Sequence, residues 1–426
     1  MSRSLKVAPQ YIKQVKSALR RHRFARQQDL AQDLQLSLST VSNFLNGRPV
    51  DYLNFWEICS RLAQDWEKIA DFDDNSTEDT SLGREAECEE ATLALAEIEV
   101  EPEVPNYVER PPIESRCFKT IKQPGSLLRI KGSKRMGKTW LIDRILAKAL
   151  KHNYRTVSLS LLLADGAVLQ GLDEFLRWFC VVVCRQLGLP TQLADYWEEG
   201  FGSSYNCTLY FEQHLLTQIN SPLVLVIDEV DRVFGVPFAG DFLGMLRAWH
   251  EKAKSRPLWQ KLRLIVAHST EVYIPLNLNH SPFNVGIAID LPEFSQEQVQ
   301  DLGKRQGLDW DSSQVNQLMS LVGGHPYRVQ RAIYCLTNQE ITFEGFLQTA
   351  HTESGIYSSH LRGHLCNLRQ YPELATAMKK VVEVTQPVQL EATQGFKLQS
   401  LGLVILEGND VKPRCDLYSK YFRQHL

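Results

Sequence analysis

An α/β core with an open parallel sheet, preceded by an all-α module and followed by further helices, is the architecture the sequence predicts. Three stretches predict it. Residues 126–139, SLLRIKGSKRMGKT, join a short apolar run to a glycine-bounded loop. Residues 221–229, SPLVLVIDE, are an unbroken apolar run ending in two acids, and residues 262–270, LRLIVAHST, are a third such run with polar residues at its end. Runs this short and this apolar, set apart by helical patterns, suit strands buried on both faces of a sheet.

The first stretch fits GxxxxGK[ST] from Gly132 to Thr139. Gly132 and Gly137 let the backbone turn so that successive N–H groups face an anion, and the helix that follows presents its positive end there. Residues 140–150, WLIDRILAKAL, carry apolar side chains at helical spacing. Strand, loop and helix thus arrive in the order that phosphate binding requires. The cofactor-binding set is Gly132, Ser133, Lys134, Arg135, Met136, Gly137, Lys138, Thr139 and Trp140. Lys138 would neutralise β- and γ-phosphates, and Thr139 would hold Mg²⁺.

An ordinary glycine turn is the bland alternative, and the second stretch argues against it. Its strand delivers Asp228 at the C-terminal end, where open α/β sheets place ligands, so Asp228 can share the Mg²⁺ with Thr139. Glu229 is then placed to polarise an attacking water, making Glu229 and Lys138 the catalytic candidates. At the end of the third run, Ser269 and Thr270 either reach the γ-phosphate or cap the strand.

With 426 residues the chain has room for two or three domains, and its composition is that of a soluble globular protein. The net charge of −3 hides an asymmetry. Lys13, Lys16, Arg20, Arg21, Arg23 and Arg26 crowd the first seventy residues, whereas 71–106 contain Arg84 as their one basic residue among many acids. A basic module on a solvated tether points to an acidic partner. The nine cysteines are scattered without paired CxxC spacing, as reduced core residues of a cytoplasmic protein would be. Cys180 and Cys184, one helical turn apart, read as a packed helix face rather than half a metal site. The N-terminus has no apolar signal region, and no stretch approaches the ~20 apolar residues of a membrane span.

Within 1–70, Pro9 can open a helix with Tyr11, Ile12, Val15, Ala18 and Leu19 on one side. A short helix over 28–34, a tight connection and a second helix over 38–45, ended by Asn46 and Gly47, give the layout of a helix-turn-helix. Ser39, Thr40, Ser42 and Asn43 would project from the second helix, where small hydrogen-bonding side chains can reach base edges. Modules of this pattern also recruit proteins; the basic first helix favours DNA. Residues 71–106 read as a flexible linker.

Beyond the core, Ser295 and Gln298 suit a helix N-cap and its reciprocal partner. The turn LVGGHPYR starts a helix at which Pro326 could lie against an adenine and Arg328 could aim at phosphate, or Arg328 could simply open the helix. Residues 208–219 read as one helix. The final sixty residues read helix, helix, hairpin, helix, a winged-helix pattern in which Pro413 marks the second hairpin strand as an edge. The segment SPFNVG, 281–286, has no evident chemistry.

These residues carry a resemblance. From 107 onward the chain resembles the AAA-like ATPase family of cyanobacterial type, related to STAND ATPases and to the Orc/Cdc6-like group, through KGSKRMGKTWL, FLRWFCVVVCRQLGL, LVLVIDEVDRVF, LRAWHEKA, WQKLRLIVAHSTEVYIPL, SPFNVG, LPEFSQEQVQ and GGHPYRVQ. The resemblance implies an additional-strand P-loop NTPase core, with the 262–267 strand between the P-loop strand and the Asp228 strand, a helical lid and a C-terminal winged helix. It further implies Asp228 and Glu229 as the Walker B pair, ATP and Mg²⁺ as cofactors, and Gly324-His325-Pro326 as a lid motif near the adenine. The sensor repeats usual in STAND proteins are missing from the sequence. No arginine stands out as a trans-acting finger, Arg232, Arg247 and Arg263 being the options.

The resulting division is a helix-turn-helix domain at 1–70, a linker at 71–106, the ATPase core at 107–291, the lid at 292–364 and the winged helix at 365–426. The expected function is a slow ATP-hydrolysing switch whose nucleotide state governs DNA binding or self-assembly. The alternatives are a signalling or defence scaffold that recruits a protein, and a DNA-binding regulator with a structural nucleotide.

Overall fold

The computed structural model describes residues 4–21, 26–34, 36–62, 64, 69, 107–270, 284–384 and 386–426. The acidic stretch 71–106 and residues 281–283 of SPFNVG lie outside them. The chain divides into two compact units, Met1–Pro102 with Tyr334–Gln370, and Glu103–Ile333 with Tyr371–Leu426. Helices Phe343–Thr349 and Ser358–Gln370 fall in the first of these units. No helix among the described residues is long and apolar enough to cross a membrane.

In the first unit, Pro9 opens a 3₁₀ turn, Pro9–Tyr11, that continues as the helix Ile12–Arg21. Helices Gln27–Asp33, Leu38–Leu45 and Tyr52–Arg61 follow, and the two-residue strands β1 (Ser4–Leu5) and β2 (Val50–Asp51) pair antiparallel. Ser37 caps the helix Leu38–Leu45 by accepting the Thr40 N–H at 3.0 Å. Val15, Ala18, Leu30, Val41, Phe44, Phe55 and Ile58 form its core, with the Phe44 and Phe55 rings edge-on at 5.0 Å.

The second unit is built on a five-stranded parallel sheet. Its strands are β3 (Leu127–Gly132), β4 (Arg155–Ser160), β5 (Leu223–Asp228), β6 (Leu262–Ser269) and β7 (Ile287–Asp290), in the spatial order β4-β5-β6-β3-β7. The expected insertion of β6 between β5 and β3 is present. Alternation along each strand divides the core in two. Leu223, Leu225 and Ile227 face Phe175, Phe179, Phe211, Phe242 and Trp249, whereas Val224 and Val226 face Ile113, Leu141, Ile142 and Ile145. Cys180 and Cys184 are buried in the first of these layers. Register then aligns the strand ends, Ser160 opposite Asp228 and Gly132 opposite Ser269.

Three local readings need correction. Strand β7 is absent from the sequence reading because it is four residues long, lies at the sheet edge and buries Ile289 while leaving Ile287 exposed. The single helix at 208–219 is instead Ser203–Tyr210, a π-helical turn Phe211–Leu215 and Leu216–Gln218. Finally, Pro413 does not lie on an edge strand. The C-terminal sheet of β8 (Val388–Gln389), β9 (Val404–Glu407) and β10 (Asp410–Pro413) has β10 in the middle. Strand β8 pairs only with Asp410 and Val411, so Pro413 needs no N–H for the ladder on that side.

Capping boxes start two helices of the segment after the sheet. Ser295 and Gln298 open Gln296–Arg305, as expected, and Asp311 and Gln314 open Ser312–Val322. Pro326–Thr337 follows the Gly323-Gly324 turn. Helices Pro372–Glu383, Ala392–Ser400 and Asp416–His425 pack with the C-terminal sheet.

Candidate functional site

Strand β3 ends at Gly132, and Gly137, at φ 85° and ψ 29°, turns the chain into the helix Lys138–Lys151. Arg135 also takes a left-handed φ of 61°, an uncommon conformation for a side-chain-bearing residue. Lys138 Nζ donates to the carbonyls of Gly132 at 3.0 Å and Ser133 at 2.9 Å, so the ammonium folds over its own loop. Met136 differs from its neighbours: its side chain is buried in the core beneath, leaving only its backbone to the site. Lys134 and Arg135 are exposed, and Arg135 stacks on the Tyr327 ring at 4.3 Å. Trp140 is half-buried on the helix.

Beside the loop, Thr139 Oγ1 donates to Asp228 Oδ2 at 3.3 Å, and Asp228 Oδ1 accepts the Glu229 N–H at 2.8 Å. Burial raises the Asp228 carboxyl above its ordinary range, opposed by the Glu229 N–H, Lys138 and Thr139. A hydroxyl and a carboxylate are the hard oxygen donors that Mg²⁺ accepts, completed in such sites by phosphate oxygens and water. Thr139 and Asp228 are therefore the residues here that could hold it. Glu229 sits at φ 56° just past β5, and its Oε2 accepts the Ser160 hydroxyl at 2.5 Å. Burial raises the Glu229 carboxyl too, the Ser160 bond acting against it and the neighbouring Asp228 and Asp231 with it.

At the end of β6, Asp231 accepts the Ser269 N–H at 2.8 Å, and the Thr270 N–H reaches the Gly132 carbonyl at 3.2 Å. Ser269 is buried. His268 is held down to about 4, chiefly by burial. From the following helical segment, His325 brings Nε2 within 3.3 Å of Ser133 Oγ, and burial keeps its imidazole well below the usual range, with Arg328 and Arg414 acting the same way.

Arg328 lies elsewhere than the reading towards phosphate required. It is 2% exposed and donates to the Val322 carbonyl at 2.5 Å, the Tyr418 hydroxyl at 2.6 Å and Glu293 at 3.4 Å. Pro326 opens its helix one residue before Tyr327. Of the finger options, Arg263 is buried with its N–H groups on the carbonyls of Ile121, Gln260 and Lys261, so it cannot reach another molecule. Arg247 bonds Asn284 at 3.1 Å, and Arg232 is exposed.

In the N-terminal unit, Ser39 is exposed and Thr40, Ser42 and Asn43 are half-buried. The Ser39 and Thr40 hydroxyls each lie 2.7 Å from Ser37 Oγ, and Asn46 Nδ2 donates to the Ser42 carbonyl at 2.9 Å. Sequence reasoning missed Ser160, Asp231 and Arg110. Ser160 could have been found as the last residue of the strand beside β5; Arg110, whose Nη1 donates to the Met136 carbonyl at 2.8 Å, gives no such signal.

A family model described as an AAA-like domain matches residues 95–424. No curated protein matches the sequence. Among solved structures, a Walker-type ATPase of Pyrococcus abyssi is similar at 13% identity over 74% of this chain and 96% of that one, with a TM-score of 0.54. The Aeropyrum pernix ORC2 protein, in ADPNP and ADP complexes, has 14% identity over 75% and 96%, with a TM-score of 0.44. A STAND protein of Pyrococcus horikoshii with a tetratricopeptide repeat sensor has 14% identity over 75% of this chain and 43% of that one, with a TM-score of 0.31. The family match spans most of the chain and includes the loop and strand ends just described: this protein belongs to the AAA-like domain family.

Proposed function

We propose that the protein is an ATP-binding switch of the cytoplasm that hydrolyses ATP slowly with Mg²⁺, its nucleotide state governing what the N-terminal helices bind. The observation that carries this reading is the convergence of Lys138 and Thr139 with Asp228 and Glu229 at aligned strand ends. Mg²⁺, when bound, would supply charge neutralisation at the phosphates. Lys138 would leave the Gly132 and Ser133 carbonyls to pair with phosphate, the N–H groups around Gly137 would face the anion, and Glu229 would take the proton of the attacking water. A carboxylate raised by burial is better matched to that proton transfer than an ordinary one. Its bond to Ser160 stabilises the ionised carboxylate and so weakens it as a base, which supports slow turnover.

Readout would run through the lid helices. His325 touches Ser133 of the loop, while the adjacent Gly324 and Arg328 bond Glu293, which also pairs with Arg414 at 3.2 Å beside the C-terminal sheet. Loop occupancy and packing of the C-terminal winged helix are thereby linked. Ser39, Thr40, Ser42 and Asn43 of the helix-turn-helix would then meet DNA. One observation favours a second reading, recruitment of a protein: Leu38 is 49% exposed on the same helix, next to hydroxyls already bonded to Ser37.

The test is DNA binding by the full-length protein without nucleotide, with ADP and with a non-hydrolysable ATP analogue, at two salt concentrations, with mass monitored. Sequence-specific binding that changes with nucleotide is the expected result. Weak binding that salt removes entirely, alongside nucleotide-dependent assembly, would replace DNA with a protein partner.

A further inference from the structure

A phosphate-binding loop works by turning N–H groups towards the anion, which forces its carbonyls to turn away. Each carbonyl so turned needs a donor of its own. Met136 precedes Gly137, whose φ of 85° marks the turn, and its carbonyl faces inward. Rotation of that one peptide would aim an oxygen, not an N–H, at a bound phosphate. The donor that prevents it comes from outside the loop: Arg110 Nη1, at 2.8 Å.

Arg110 is itself firmly seated. It is 3% exposed, its guanidinium lies over the Phe294 ring at 5.7 Å, and its Nη2 is 3.3 Å from where a side chain on Gly137 would begin. Its own N–H donates to Glu114 at 2.9 Å, and Glu114 also accepts the Tyr107 hydroxyl at 2.7 Å. Around it, residues 107–110 are tied to the loop helix through Glu109 and Arg144, at 2.7 Å, and to the helix Gln296–Arg305 through Gln298 and Arg305, at 2.6 and 3.0 Å. The Arg110 Nε–H has no acceptor among the described residues.

We propose that Arg110 is a positioning residue for the phosphate loop, holding the Met136 carbonyl away from the anion and joining the loop to residues 107–110. The proposal rests on the reading of this loop as a nucleotide site. Arg110 acts on the phosphates through the loop backbone, so its removal weakens ADP and inorganic pyrophosphate alike.

Calorimetric titration of ADP and of pyrophosphate into wild type, Arg110→Met and Arg110→Lys, with circular dichroism as the folding check, tests this. In Arg110→Met both affinities are expected to fall by a common factor of about ten or more, the worth of one hydrogen bond to a charged group. Arg110→Lys, which keeps one donor, recovers part of both. Wild-type affinity in Arg110→Met, loss of ADP binding with pyrophosphate unchanged, or no recovery in Arg110→Lys would overturn the proposal. Should Arg110→Met not fold, Arg110→Lys is compared with wild type directly, where a shared loss supports it and unchanged affinity overturns it. A wild-type protein that binds neither ligand would instead refute the nucleotide site itself.

Discussion

Removing Glu293 should do more damage than its exposure suggests. One carboxylate oxygen faces Arg328 at 3.4 Å and Arg414 at 3.2 Å, and the other accepts the Gly324 N–H at 3.3 Å. Glu293→Ala leaves the Arg328 guanidinium, 2% exposed, beside a second arginine and without the Glu293 carboxylate. Orphaning one partner of a fully buried pair costs roughly 3–5 kcal/mol. Here the 3.4 Å separation and the 26% exposure of Glu293 reduce that to about 2–3 kcal/mol after solvent screening. Urea unfolding of wild type, Glu293→Ala, Arg328→Met and the double variant measures it. The double variant should be no less stable than Glu293→Ala, giving a non-additivity of about 2 kcal/mol, because the stranded charge is gone. Additive losses, or a Glu293→Ala loss below about 1 kcal/mol, would refute the reasoning and show that Arg328 is sustained without Glu293.

Two further outcomes follow from the site. Glu229→Gln should bind ATP as wild type does while hydrolysis falls by roughly 10²–10⁴-fold, the usual share of a general base, and normal turnover in single-cycle assays would place the base elsewhere. The second concerns acid. His268 is lowered from 6.5 to about 4, so below pH 6.5 the unfolded chain takes up a proton that the folded one refuses; stability present above 6.5 is lost as pH falls towards 4. The loss is about 3 kcal/mol on this account, and His268→Gln should remove that part of the acid limb in unfolding curves at pH 7, 5.5 and 4, whereas identical curves for both proteins would contradict it.

The sheet was legible because its inner strands are predominantly apolar, Arg129 and Lys131 interrupting β3 and Arg263 interrupting β6. In β5 all six residues are buried, and such a run admits few other readings. Edge strand β7 escaped because an exposed strand carries little hydrophobic signal, and the π-helical turn because i→i+5 bonding leaves no trace in side-chain spacing. The loop and its Asp228 partner were legible as motifs. The supports of that loop were not, since His325 reaches Ser133 across 192 residues and Ser160 reaches Glu229 across 69. Arg328 misled because an arginine near a glycine turn looks ready for phosphate, while Glu293 and Tyr418, distant in sequence, had already engaged it.

The central claim is that the loop from Gly132 to Thr139 binds nucleotide, and calorimetric titration of ADP and ATP with Mg²⁺ into wild type and Lys138→Ala tests it most directly. Lys138 donates to the Gly132 and Ser133 carbonyls of its own loop, and circular dichroism of Lys138→Ala serves as the folding check. The account predicts micromolar binding by wild type and none by the variant. Micromolar ATP affinity retained in Lys138→Ala would contradict it.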